Sequence, residues 1–251
     1  MADFDGRYVS AARSRAGAGV ETLDQGLRAF MLGIYNNMAL GLAVTGLVAY
    51  GAFMAAFGES GQLTAFGNAI YVSPLKWVIM LAPLAFVFGL SAAVHRMQPA
   101  TARLIFLVFA AVMGLSMSSI FAVFTETSIA RTFFVTAASF GALSLWGYTT
   151  KRDISGWGSF LFMGLIGIII AMIVNIFLGS SALQFAISVI GVLIFAGLTA
   201  YDTQRLKNTY DLVAGDQVAA GRASIIGALQ LYLDFINLFM FLLQFMGNNR
   251  N

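Results

Sequence analysis

Eleven acidic side chains could take part in chemistry, and nine of them (Asp3, Asp5, Glu21, Asp24, Glu59, Glu126, Asp153, Asp211 and Asp216) fall in polar tails or loops. The exceptions are Asp202, at the edge of one apolar run, and Asp234, inside another that reads LYLDFINLF. A carboxylate at the centre of a membrane helix costs about 2.5 to 3.5 kcal/mol on insertion scales, so it persists where a partner, a cavity or a function offsets that cost. Two carboxylates brought close in a low-dielectric setting cannot both ionise cheaply; such a pair shares a proton and senses pH. Deprotonated, they are hard oxygen ligands of the kind Ca²⁺ prefers. Two acids fall short of its usual six to eight oxygens, so they suggest a weak or transient metal site. The chain has no cysteine and a single histidine, His95, which removes thiolate chemistry, disulfides and a zinc cluster from consideration.

The elements that position these acids follow from composition. The chain is 59% hydrophobic and only 10% charged, against about 25% charged in soluble domains, and its mean hydropathy is +0.84. Apolar residues come in unbroken runs near the 20-residue length of a membrane-crossing helix, not in the alternating segments of an outer-membrane barrel. The fold class is an all-α membrane protein with seven transmembrane helices, expected at 30–56, 77–94, 104–124, 132–148, 157–178, 182–201 and 225–246. Residues 1–28 read as a polar cytoplasmic tail and 29–251 as the membrane domain. Basic residues give the orientation: with the amino terminus inside, eleven face the cytoplasm and three (Lys76, Arg131 and Arg250) face outside. No basic stripe with interleaved aromatics points to nucleic acid.

On the seventh span Gly227, Gln230, Asp234, Asn237, Phe241 and Gln244 recur at alternating spacings of three and four, one face of a helix. That polar face must look into the bundle, which sets this helix at its centre. It is also the least lipid-like span, so a re-entrant path would first be sought here. On the sixth span Ser188, Gly191, Phe195, Thr199 and Asp202 form a matching stripe. The two stripes predict a narrow polar crevice with Gln230, Asn237 and Thr199 among its lining residues and Asp202 opposite Asp234. Arg96, at the end of the second span beside His95, is the expected closing cation for Asp202. The plainer alternative is that Asp202 pairs with Arg96, Arg103 or Arg205 at the membrane edge and Asp234 hydrogen-bonds for packing alone. Ala110, Gly114 and Ser118 form a small-residue face for close helix approach, and Pro83 predicts a kink in the second span.

Four stretches resemble the transmembrane Bax inhibitor motif family: IYNNMALGLAVTGLVAY (34–50), FTETSIARTFFVTAASFGALSLWGYTTKRDISGWGSFL (124–161), GLTAYDTQRLK (197–207) and ALQLYLDFINLFMFLLQFMGN (228–248). An Asp in a YDTQ context followed about thirty residues later by LYLDFINLF is hard to obtain from composition alone, and the short loops and low charge are similar to bacterial inner-membrane members. The resemblance implies seven helices with the last surrounded by the other six, and a pH-dependent calcium leak controlled by the Asp202–Asp234 pair. It implies no cofactor beyond calcium as permeant ion. Expected partners are the lipid bilayer, Ca²⁺ and protons, with other membrane proteins, proteases among them, as the alternative function. An enzyme reading, intramembrane aspartyl proteolysis, is disfavoured because Leu231, Tyr232 and Leu233 stand where such chemistry uses a Gly-x-Gly-Asp context.

Overall fold

Inside a bilayer each backbone amide needs an internal partner, so every long apolar run closes its hydrogen bonds as a helix. The computed structural model describes residues 3–58 and 61–250, with side chains described from residue 25 onward apart from those of Ser91 and His95. Most side chains of the expected 1–28 tail, and that of His95, thus lie outside the described residues. Helix α1 (Asp3–Ala56) has its apolar, membrane-length part at Gln25–Ala56. Thr64 accepts from the Gly67 amide to start α2 (Ala65–Gly67), which runs into a wide turn over Asn68–Val72. After Ser73 and Pro74 comes α3 (Leu75–Ala93). The two halves meet at 64°, a bend of the kind found in a broken span or a re-entrant loop.

Next are α4 (Pro99–Met117), the short α5 (Ile120–Val123) and α6 (Glu126–Thr149). The α6 helix begins ahead of the apolar run because Thr125 caps the Ser128 amide, which turns a marginal 17-residue expectation into 24 residues. Helix α7 (Trp157–Leu178) coincides with the expected fifth span and ends at Gly179, whose φ of +60° reverses the chain. Helix α8 (Ser181–Val213) is capped by Ser180, and α9 (Gln217–Met246) by Asp216, which accepts from the amides of Val218 and Ala219.

Among the described residues six helices are long and apolar enough to cross a membrane, seven when the bent pair is counted as one span. The discontinuity sits at Ser73–Pro74, where Pro74 supplies no amide donor, while α3 runs on through Pro83 and α9 is unbroken over 30 residues. Helix α9 is the centre: 67% of its apolar window is buried, against 11% for α7. Its main neighbours are four helices, α1, α4, α6 and α8, not six. The α3 helix packs outside on α4, and α7 outside on α8. Arg250, just past α9, lies 5.6 Å from the Phe53 ring near the end of α1. The carboxyl-terminal end of the bundle therefore shares a side with the end of α1, as an odd number of crossings requires.

Close approach of α1 and α4 depends on the small-residue face: a Cβ on Gly114 would lie 2.5 Å from the Thr45 carbonyl oxygen. Thr45 Oγ1 donates to the Ala110 carbonyl at 2.9 Å, so the Tyr232 hydroxyl donates to Thr45 Oγ1 at 2.6 Å. Phe106 and Phe109 meet the Tyr232 ring edge-on at 5.7 and 5.6 Å. Tyr232→Phe keeps the ring packing and the Thr45–Ala110 bond and loses one buried hydrogen bond, so thermal unfolding in detergent should show a loss of about 1 kcal/mol.

Candidate functional site

Helices α8 and α9 are antiparallel and face each other along the two stripes read from the sequence. Phe195 stacks on Phe241 at 5.7 Å, and Gly191 leaves the room that Phe241 fills. Nearer the far end, Gln184 donates to Gln244 Oε1 at 2.7 Å, and Ser188 Oγ lies 3.5 Å from the same oxygen. Nearer the α8–α9 turn, Gly227 packs under Leu206. This register sets Asp202 of α8 against the turn of α9 from Gln230 to Asp234.

Between α7, α8 and α9 lies a cavity of about 390 Å³. Its polar residues are Asp202, Gln230, Asp234 and Asn237, and its walls are apolar, including Leu165, Ile168 and Met172 of α7 and Phe195 and Leu198 of α8. Asp234 is 5% exposed, and its Oδ2 is buried without a hydrogen-bond partner. The carboxyl of Asp202 is within hydrogen-bonding reach of that of Asp234. With both ionised there is no donor between them, and a single proton would supply one. Asn237 Nδ2 donates to the Leu233 carbonyl at 2.8 Å, which leaves its Oδ1 as the acceptor end of the amide. Two carboxyls and two carboxamides are the cavity's polar groups, and among the described residues no cluster of three or more acidic or histidine side chains is assembled.

Two expected site residues lie elsewhere. Thr199 is fully buried one position round the helix from the cavity-lining Leu198, and its hydroxyl donates to the Phe195 carbonyl at 2.8 Å. Its side chain belongs to the α8 backbone, not to the cavity. Arg96 is exposed on the turn Val94–Arg96 after α3; that turn touches α9, but Arg96 makes no ion pair with Asp202 and does not line the cavity. The cation whose charge acts on Asp202 is Arg205, three residues further along α8. Among the described residues Asp202 makes no ion pair, the only one being Arg250–Glu126 at 3.8 Å.

Sequence reasoning missed what holds α8 in place. The Tyr35 hydroxyl bonds Ser144 Oγ at 2.6 Å, Ser144 bonds Thr203 Oγ1 at 2.8 Å, and Thr203 donates to the Thr199 carbonyl at 2.7 Å. That chain ties α1 and α6 to the turn beside Asp202. Gln204 fixes the α6–α7 loop by accepting from the Ile154 amide at 2.9 Å and donating to the Arg152 carbonyl at 2.8 Å. Within the loop, the Ser155 amide donates to Asp153 and holds its carboxyl below the usual range. The signal in the sequence was the run of small hydroxyl residues, which has many bland explanations.

A profile of the family described as "Inhibitor of apoptosis-promoting Bax1" matches residues 27–251. A Caulobacter vibrioides protein is 48% identical over 252 residues, 100% of both chains. The inner membrane protein YbhL of Escherichia coli K12 is 48% identical over 227 residues, 90% of this chain and 94% of YbhL. RP147 of Rickettsia prowazekii is 44% identical over 231 residues, 92% of this chain and 94% of its own. With the profile spanning the whole membrane domain, the chain belongs to the Bax inhibitor family of membrane proteins.

Proposed function

We propose that the chain is a proton-controlled cation leak, with Ca²⁺ as the permeant ion and the Asp202–Asp234 pair as the gate. The observation that carries this reading is a buried carboxylate oxygen with no partner, beside a second carboxylate, in one cavity at the central helix. A proton held between the two acids joins α8 to α9 and leaves one negative charge. Losing it sets two like charges against each other, which drives the helices apart and attracts a divalent cation. Arg205 moderates that charge from the turn beside Asp202. Flux therefore increases as pH rises.

The reading includes residence in the inner membrane, the location printed in the name of YbhL, with a cytoplasmic amino terminus as the eleven-to-three distribution of basic residues indicates. The test is Ca²⁺ entry into vesicles holding purified protein, followed with an enclosed dye from acid to alkaline pH. Flux rising with pH supports the leak; entry equal to that of protein-free vesicles at every pH removes it. A second reading, restraint of other membrane proteins, draws on α7, only 11% of whose apolar window is buried. Stoichiometric cross-linking of α7 to another membrane protein, with no ion flux, would favour that reading.

A further inference from the structure

Helices α1 and α6 both pack on α9 without packing closely on each other, and they leave a lateral groove of about 580 Å³. Met31, Met38 and Leu42 line one wall, Ala137 and Phe140 the other, and Phe235 of α9 the floor. The Tyr35 hydroxyl is directed to Ser144, so the groove surface is almost wholly apolar. A second hollow of about 270 Å³ shares Leu42, Phe133 and Phe235 with the first and continues to Glu126 at the other end of α6. At the opposite mouth stand Arg28 and Tyr148, and Lys207 lies 5.2 Å over the Tyr148 ring and donates to its carbonyl at 3.0 Å.

We propose that this groove is a binding site for an acidic glycerophospholipid, with an acyl chain between α1 and α6 and the phosphate at Arg28 and Lys207. The groove's lining selects the occupant: along α1 it is almost wholly apolar from Met31 to Leu42, a rise of about 17 Å that matches an extended stretch of acyl chain. Charge selects the headgroup: Arg28 stands at one mouth with Lys207 beside Tyr148, whereas the far hollow ends on Glu126, which pairs with Arg250, and a nearby basic residue favours acidic lipid.

The structure also provides a variant that blocks the groove. Gly141 lines it, and a Cβ there meets nothing within 4 Å, so Gly141→Leu starts its side chain in open space and extends it into the groove. The full chain is reconstituted with photoactivatable phosphatidylglycerol or phosphatidylcholine carrying the reactive group on an acyl chain, and labelled residues are mapped by mass spectrometry. Wild type should label Met31, Met38 and Phe140 above the lipid-facing Ile173 and Phe177 of α7, and more strongly with phosphatidylglycerol. Gly141→Leu should bring groove labelling down to the α7 level, and Arg28→Gln should reduce the headgroup preference about fivefold. Groove labelling equal to α7 in wild type, no headgroup preference, or undiminished labelling in Gly141→Leu would each overturn the proposal. So would a protein cross-linked into the groove in native membranes.

Discussion

Asp234→Leu should yield a protein that is less stable and does not conduct. Asp234 is 5% exposed and its carboxyl is within hydrogen-bonding reach of that of Asp202, so its loss leaves the second carboxyl without its partner. Leucine has a similar reach, and the adjoining 390 Å³ cavity has room for its branched end, so packing itself is kept. Removing one partner of a buried hydrogen-bonded pair costs about 1 to 3 kcal/mol. The same exchange takes away the more buried of the two carboxylates that would draw a cation into the bundle. Thermal unfolding in detergent should move downward while Ca²⁺ entry falls to the protein-free level. A variant that unfolds no earlier than wild type would mean that the two acids share no proton.

The second large effect concerns how α8 is held against α6. Gly147 of α6 lies against the Ala200 backbone, so any Cβ would collide with the Ala200 carbonyl oxygen. Backbone cannot rotate aside as a long side chain can, so Gly147→Leu forces the two helices apart. Overpacking costs about 1 to 3 kcal/mol, and loss of the Ser144–Thr203 bond one turn away adds about 1. The combined loss, about 3 kcal/mol, should lower the unfolding midpoint by on the order of 10 °C. Gly141→Leu, the same substitution six residues earlier on α6, meets open space and should leave the midpoint within a degree or two of wild type. The contrast separates packing from helix propensity, since leucine is the better helix former at both positions.

Helix–helix recognition along α8 and α9 was legible because it is periodic. The stripe from Gly227 to Gln244 could face only inward, and its counterpart from Ser188 to Asp202 meets it at Gln244, Phe241 and Asp234. Thr199 was misread because i+4 spacing alone places a residue only to within a helical quadrant, and a threonine can satisfy its hydroxyl on its own helix. Arg96 does not pair with Asp202: span order does not state which outer helix lies beside α8, and the neighbour is α7, while the turn that carries Arg96 touches α9. The broken second span was hidden for a different reason. Residues 65–72 fall outside the expected second span at 77–94 because Ser73 and Pro74 interrupt the apolar run, yet capping by Thr64 is enough to start a helix there.

The central claim is that Asp202 and Asp234 act as one proton-sharing unit, and the most direct test is Ca²⁺ flux against pH for wild type, Asp202→Asn, Asp234→Asn and the double variant in the same vesicles. Two groups acting as a unit are non-additive. The predicted result is a wild-type flux that rises with pH, a flat profile in each single variant, and a double variant no more impaired than either single one. Retention of the wild-type pH profile by both single variants would contradict the account.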